Sequence, residues 1–424
     1  MGLRQLWATR ESMPAILTAH MSTEKNIEPH ALRVLISAGE ASGEMYGAEL
    51  LAELRKLHGG AVDAFGMGGE RMKEAGCELV VQARDVAVVG LFEVLSHLPG
   101  IYRQFQKLLA EVDRRKPDVA VLIDFPDWNF RLARQLRKRG IPVVYYVSPQ
   151  LWAWRKSRLK LVQRDVAEML VIFPFEREFY AKHGVQVEFV GHPLSERKLP
   201  AISREEFAKR WALDASKTWI ALLPGSRRKE LRLNLPAMLG AAERLGKGFE
   251  FVMPVASTLE YDWVREQVEL CTRSLAVRLT NDPRASLLHS RVGVVASGTA
   301  TVEAALIGTP FVMVYRVAGL TWAVGRHLVK LPHYGMVNLV AGREVVPELI
   351  QERFTPESVE AGVRRLLEDG VARQTMIAAL DEVREKLHGE LRNAPQPGPE
   401  PDTAAGRAAR AVLRVAEMTS HERE

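Results

Sequence analysis

Short apolar runs alternate with longer helical stretches along the sequence, and they do so in two successive series. Strand-like runs of the first series lie at residues 32–36, 62–65, 119–123, 143–147, 169–172 and 187–190, with helical stretches between them such as 48–57, 130–139 and 176–183. This alternation is typical of a parallel sheet covered by helices. A basic, polar segment at 195–217 interrupts it, and the rhythm restarts at Trp219, Phe251, Val277, Val292 and Phe311. The sequence therefore predicts two α/β domains, residues 31–194 and 195–354, with a cleft between them.

Two regions lie outside these domains. Residues 1–30 carry charges where a secretory signal needs an apolar core, so we expect a disordered extension, with Met21 as an alternative initiator. Residues 355–424 have a helical pattern that a Pro-rich stretch at 393–402 interrupts. The last helix has one apolar face, which we expect to pack back on the N-terminal domain or on a second subunit of a homodimer. No run approaches the ~18 apolar residues of a membrane-spanning helix, so any membrane contact is expected from the surface.

The composition narrows the functional class. Hydrophobic residues make up 47% and charged residues 26% of the chain, which is typical of a globular protein. The formal net charge of +6 favours anionic partners such as phosphates, phospholipid headgroups or nucleic acid. Cys77 and Cys271 are too few and too far apart for a disulfide framework or a structural zinc site, which favours the reducing cytoplasm.

Two small-residue turns in the second series are suited to bind an anion. The sequences LPGSRRKE (223–230) and ASGTATVEAALIGTP (296–310) each follow a strand-like run and open a helical pattern. This order directs backbone N–H groups and the positive end of a helix to one place. Neither turn is a Walker loop or a Gly-x-Gly-x-x-Gly turn, which argues against an ATPase and a simple dehydrogenase and favours a nucleoside diphosphate.

Several residues of this half are candidates for binding that diphosphate nucleotide. The turns supply phosphate donors and an acceptor for ribose hydroxyls, namely Arg227, Ser297, Gly298, Thr299 and Glu303. The segment 338–352 adds polar residues that are informative only beside those turns, namely Asn338, Arg343, Glu344 and Glu348. The alternatives are a surface arginine at 227, a helix-capping serine at 297 and a solvated glutamate at 303.

In the first series, acidic residues follow two of the strand-like runs. The turn AGEASGE (38–44) offers Glu40, Ser42, Gly43 and Glu44, a set better suited to a sugar or hydroxyl ligand than to phosphate. The segment IDFPDWNF (123–130) places Asp124 and Asp127 at the carboxyl end of a strand, where ligands of open α/β sheets bind. Such a carboxylate is suited to act as general base toward an alcohol, and its alternative role is a helix N-cap. Because the chain contains no Asp-x-Asp, we expect catalysis without a metal or other cofactor.

An apolar stripe at 86–109 has two interpretations. Its residues recur at helical spacing with Arg103 and Lys107 interleaved, which is compatible with a core helix. The same pattern is compatible with an acyl-binding or membrane-facing surface.

Eight motifs in a fixed order carry a family resemblance. They are AGEASGE, VGLFEVL, IDFPDWNF, YYVSPQLWAWR, FVGHPL, LPGSRRKE, ASGTATVEAALIGTP and NLVAGREVVPELIQE. Together they resemble lipid-A-disaccharide synthase, a bacterial transferase of lipopolysaccharide assembly, from about residue 32 to about residue 367.

The resemblance implies a GT-B fold, with two Rossmann-like domains facing a central cleft and C-terminal helices. It implies inverting transfer of 2,3-diacylglucosamine from UDP to the 6-hydroxyl of 2,3-diacylglucosamine 1-phosphate (lipid X). It further implies a cytoplasmic enzyme peripherally associated with the inner membrane, with no nucleic-acid partner.

The resemblance also assigns roles to individual residues. Asp124 matches the family's catalytic aspartate and Glu93, in VGLFEVL, matches a further acidic position on the acceptor side. The family usually has Asp where this chain has Glu44, which leaves the role of that carboxylate open. Two alternatives remain at this point, a non-hydrolysing UDP-sugar 2-epimerase and a catalytically silent lipid- or nucleotide-binding protein.

Overall fold

The computed structural model describes residues 31–86, 91–153, 156–319, 322–323, 331–388 and 403–421, with the backbone only at 91–97 and 419–421. The expected extension at 1–30 and the Pro-rich stretch at 393–402 lie outside these described residues. The side chain of Glu93 also lies outside them, although its backbone belongs to a helix.

A parallel sheet of seven described strands forms the centre of the first domain. The strands are β1 (Leu32–Ala38), β2 (Val62–Gly68), β3 (Glu78–Gln82), β4 (Val119–Ile123), β5 (Val143–Tyr146), β6 (Glu168–Val171) and β7 (Glu188–Phe189). The helices are α1 (Ala41–His58), α2 (Glu70–Glu74), α3 (Leu91–Arg115), α4 (Pro126–Arg137), α5 (Leu159–Asp165) and α6 (Pro174–Ala181). All five residues of β4 are buried, as expected for a strand covered by helices on both faces.

The second domain repeats this plan with six described strands. They are β8 (Thr218–Leu223), β9 (Phe249–Pro254), β10 (Val277–Thr280), β11 (Val292–Ala296), β12 (Phe311–Tyr315) and β13 (Glu348–Ile350). The helices are α7 (Arg204–Trp211), α8 (Arg228–Leu245), α9 (Tyr261–Cys271), α10 (Pro283–His289), α11 (Thr299–Ile307), α12 (Met336–Ala341), α13 (Pro356–Leu367) and α14 (Val371–His388).

The strand order creates one ligand crevice in each sheet. The orders are β3-β2-β1-β4-β5-β6-β7 and β10-β9-β8-β11-β12-β13. In each sheet, successive strands are first added on one side and then on the other, and this reversal lies between β1 and β4 and between β8 and β11. Ligands of open α/β sheets bind at this reversal, beyond the carboxyl ends of the two strands. The four segments that were proposed from the sequence to bind ligands follow β1, β4, β8 and β11.

The C-terminal helix α15 (Ala404–His421) returns to the first domain. Its small apolar face, including Ala408 and Val412, joins the core that contains Tyr46 and Leu50 of α1. Arg407 of this helix donates from Nε to the carbonyl of Val190 at 2.8 Å. The chain therefore crosses between the domains twice.

Helix α1 differs from its predicted extent. We expected a helical stretch from residue 48, whereas α1 begins at Ala41, so Ser42, Gly43 and Glu44 lie in its first turn. Gly47 lets this helix run close to the sheet, because a Cβ there would lie 3.2 Å from Ile123 Cδ1. Two short strands, β3 and β13, escaped prediction.

The apolar stripe is exposed in the middle of α3 and buried nearer its C-terminal end. Leu108 and Leu109 are buried in the core, and Phe105 packs against it. Leu98 and Tyr102 are 47% and 65% exposed, respectively. Within the described residues, no helix combines the length and hydropathy that crossing a membrane requires.

Candidate active site

The two ligand crevices face each other across the cleft. Arg227, which follows β8, donates from Nη2 to Oε1 of Glu40, which follows β1, over 3.1 Å. Both side chains remain about half exposed, so the pair lies in an open cleft rather than in a sealed core. The structure thereby brings together the AGEASGE and LPGSRRKE segments.

Asp124 lies at the carboxyl end of β4, beside the first crevice. Asp124 and Phe125 both adopt left-handed backbone conformations, with φ of 45° and 47°. Such conformations cost non-glycine residues free energy and occur most often at functional sites. Two consecutive cases therefore mark this turn as a candidate site.

The surroundings of Asp124 alter its acidity. Burial, and then the negative charge of Glu40, raise the pKa of the Asp124 carboxyl to about 7, against the opposing effects of the Phe125 N–H and Arg227. A general base works best when its pKa lies near the operating pH. A carboxyl group with such a pKa is suited to exchange protons near neutral pH.

The neighbouring carboxylates have different surroundings. Asp127 is exposed in the first turn of α4 and forms an ion pair with Arg158. Phe125 occupies the N-cap position of α4, so the alternative that either aspartate caps this helix is wrong. Glu44, in the first turn of α1, is half-buried, and burial raises its pKa against the attraction of Arg71. A Cβ at Gly69 would overlap the Glu44 carboxylate, so the glycine after β2 accommodates the longer side chain.

The start of α8 already holds a carboxylate. Glu230 accepts a hydrogen bond from the Ser226 N–H at 3.2 Å and another from Arg227 Nη1 at 3.1 Å. Gly225 has a φ of +124°, a conformation that glycine adopts readily. Glu230 was not singled out from the sequence, because the N-cap of α8 is Arg227 and the Ser/Thr that would complete a capping-box pattern with this glutamate is missing.

The start of α11 is open. Gly298 is its N-cap with a φ of 143°, and a Cβ there would meet nothing within 4 Å. Gly298 and Thr299 are exposed and Ser297 is half-buried. Since glycine supplies the cap, the alternative of a Ser297 cap is wrong. An open helix N-terminus of this kind attracts anions.

Glu303 lies one turn further along α11. Its side chain is 17% exposed and faces Arg197 at 3.9 Å between Oε1 and Nη1. Burial raises the pKa of Glu303, Arg284 and Arg197 lower it, and Asp282 raises it. The carboxylate is therefore held by charges instead of being freely solvated, contrary to the alternative considered from the sequence.

The segment 338–352 is organised by its own side chains. Asn338 is buried, donates to Glu348 Oε1 at 2.8 Å and accepts from the Val345 N–H at 2.7 Å. Glu348 also accepts from the Gly335 N–H at 2.9 Å. Arg343 pairs with Glu382 at 2.8 Å, and Glu344 is exposed. Glu348 thus braces the turn that precedes α12, and Asn338 braces the segment that follows it.

Comparison with known proteins identifies the family. The family model described as lipid-A-disaccharide synthetase matches residues 34–396. The chain belongs to the lipid-A-disaccharide synthetase family. The lipid-A-disaccharide synthase of Koribacter versatilis is 58% identical over 386 residues, covering 91% of this chain and 99% of the relative. Membership of this family makes the chain an enzyme, a glycosyltransferase of lipid A biosynthesis, and confirms the resemblance.

Solved structures show that the lipid-A-disaccharide synthetase fold of this chain is GT-B. A glycotransferase of kitacinnamycin has a TM-score of 0.58 at 16% identity, covering 91% of this chain and 100% of the other. The UDP-GlcNAc 2-epimerase from Neisseria meningitidis, bound to UDP-GlcNAc, has a TM-score of 0.60 at 13% identity, covering 91% and 100%. At these identities the likeness shows the fold alone, which confirms the predicted α/β class.

Proposed function

We propose that this glycosyltransferase moves 2,3-diacylglucosamine from UDP to the 6-hydroxyl of 2,3-diacylglucosamine 1-phosphate, with inversion at the anomeric carbon. The products are a β-1,6-linked disaccharide 1-phosphate and UDP. The observation that carries the proposal is the placement of Asp124, a base with a pKa of about 7, across the cleft from Arg227.

In this mechanism Asp124 accepts the proton of the acceptor hydroxyl. The hydroxyl oxygen forms a bond to the anomeric carbon while the bond from that carbon to the diphosphate oxygen breaks. The bonding electron pair leaves with UDP. Arg227 and the N-terminus of α11 stabilise the negative charge that develops on the diphosphate.

We assign the nucleotide to the second domain. Ser297, Gly298 and Thr299 surround the open start of α11, where N–H groups suit phosphate oxygens. Glu303, one turn further on, is suited to accept from ribose hydroxyls. Arg343 and Glu344 are exposed near α12 and are secondary candidates. Asn338 and Glu348 support this side by fixing the segments after and before α12, respectively.

We assign the acceptor to the first domain. Glu40, Ser42, Gly43 and Glu44 lie at the start of α1, directly after β1, and Asp124 follows the neighbouring strand β4. We place Glu93 on the same side through its family match alone, because its side chain lies outside the described residues.

We further propose that α3 attaches the enzyme to the inner-membrane surface. Leu98 and Tyr102 are exposed apolar groups, and the exposed basic residues Arg103 and Lys107 follow them. Apolar groups beside cations are suited to anionic membrane surfaces.

An assay with purified protein tests the reaction. Diacylated donor and acceptor should give UDP and a β-1,6-linked disaccharide, with anomeric configuration read by NMR. We expect EDTA to leave the rate unchanged, since Arg227 supplies the charge that Mg²⁺ supplies elsewhere. Release of a 2-epimer from UDP-GlcNAc without acceptor would instead indicate the epimerase alternative, and UDP binding without turnover would indicate a silent protein.

A further inference from the structure

The turn that presents Asp124 is held by buried side chains that do not enter the crevice. Asn129, in the first turns of α4, is fully buried. Its Nδ2 donates to the carbonyl of Asp124 at 2.7 Å and lies 3.2 Å from the carbonyl of Ile123. The Ser37 hydroxyl donates to Asn129 Oδ1 at 2.8 Å and thereby fixes the orientation of the amide.

Tyr145 of β5 supplies a second donor to the same atom. Its hydroxyl donates to the Asp124 carbonyl at 2.6 Å, while its ring is completely buried. The Asp124 carbonyl therefore accepts two side-chain hydrogen bonds, which is its full capacity of two lone pairs.

The adjoining glycine provides space for the same turn. A Cβ at Gly39 would overlap the ring of Phe125, which follows Asp124. The glycine after β1 thus permits the left-handed turn after β4.

We infer that Asn129 and Tyr145 are positioning residues, which hold the Asp124 backbone in its left-handed conformation and so aim its carboxylate into the cleft. Two consecutive non-glycine residues keep a left-handed backbone conformation only when the surrounding contacts hold them in it. Relaxation would rotate the Asp124 side chain away from the acceptor hydroxyl. This inference rests on the proposed role of Asp124 as the base.

The first test is Tyr145→Phe, with Tyr180→Phe as its matched control. Both tyrosines are fully buried in one core cluster, and both hydroxyls are hydrogen-bonded, that of Tyr145 to the Asp124 carbonyl and that of Tyr180 to the Ser148 hydroxyl at 2.7 Å. Both variants therefore lose one buried hydroxyl from similar surroundings. Only Tyr145→Phe removes a donor from the Asp124 carbonyl.

We expect Tyr145→Phe to lower kcat by ~10- to 100-fold, the effect of displacing a catalytic group by about 1 Å. The KM for donor, the affinity for UDP and the melting temperature should match those of Tyr180→Phe. Equal kcat values in the two variants would overturn the inference. Asn129→Ser, if it folds, should lower kcat in the same way; if it unfolds, the tyrosine pair decides.

Two further measurements separate this inference from the proposed reaction. If Asp124→Asn retains wild-type turnover, the assignment of the base fails. A crystal structure of Tyr145→Phe then still tests positioning, because residue 124 should leave the left-handed region if the donor matters. An unchanged φ at residue 124 would refute the positioning role even if Asp124 proves essential.

Discussion

Arg227 and Glu40 form an ion pair of 3.1 Å that joins the second domain to the first, between segments 187 residues apart. The pair connects the two ligand crevices. Glu40 therefore pairs with the guanidinium group of Arg227, which we assign to the diphosphate. Glu40 also raises the pKa of Asp124. Donor binding would replace one negative partner of Arg227 with another.

The first prediction concerns this exchange. Glu40→Gln should strengthen UDP binding, because the diphosphate no longer competes with a carboxylate for Arg227. The gain should stay below about 1 kcal/mol, since the pair is half exposed and screened by solvent. Titration calorimetry measures it, with Glu260→Gln as the control, because Glu260 pairs with the adjacent Arg228 at 2.9 Å. Weaker UDP binding in Glu40→Gln would mean that Glu40 itself contacts the nucleotide.

The second prediction is the pH dependence. Asp124 acts as a base only when deprotonated, so kcat/KM should fall as the pH drops through about 7. Glu40 raises the pKa of Asp124 by its negative charge. Glu40→Gln should therefore move the acid limb of the pH profile of kcat/KM to lower pH. A pH profile of kcat/KM at low substrate concentration reads both effects. A limb that stays in place in the variant would show that another group controls it.

The third prediction is the loss of the base. Asp124→Asn preserves size and should lower kcat by about 10²- to 10⁴-fold while UDP affinity stays near wild type. Asp127→Asn tests the neighbouring carboxylate, whose exposed ion pair with Arg158 leads us to expect a far smaller loss. If the Asp127 variant were the inactive one, the roles would have to be exchanged.

The strands at the two crevices could be predicted because buried parallel strands are continuous apolar runs, as in β4. The turns that follow them could be located for the same reason. The contact between Arg227 and Glu40 could not, since it depends on how two domains meet and leaves no local pattern. Asn338 and Glu348 illustrate a related limit, because polar residues that brace a turn resemble polar residues that face a ligand until their partners are known. The substrate roles assigned to individual residues stay predictions.

The fourth prediction separates two adjacent arginines. Arg227→Ala should weaken UDP binding by about 1.5–3 kcal/mol, the usual contribution of a hydrogen bond to a charged group. Arg228→Ala should have little effect, because that side chain pairs with Glu260 and lies over the ring of Trp263 at 4.9 Å. Calorimetry on both variants gives the comparison. Equal affinities would place the diphosphate away from Arg227.

The last prediction concerns the exposed part of α3. Replacing Leu98 and Tyr102 with serine should lower association with vesicles of anionic phospholipid, because both side chains are largely exposed and lie beside basic residues. The melting temperature should change little, since exposed apolar groups contribute little to folding.

The control for this experiment is Leu108→Ala on the same helix. Leu108 is fully buried, so its truncation should leave a cavity that costs about 2–5 kcal/mol of stability. Vesicle binding by the folded fraction should then be unchanged. Sedimentation with vesicles and thermal melting distinguish the two ends of α3. If the double serine variant melts as early as Leu108→Ala, the two exposed residues belong to the packed structure, and the attachment surface must be sought among the basic residues alone.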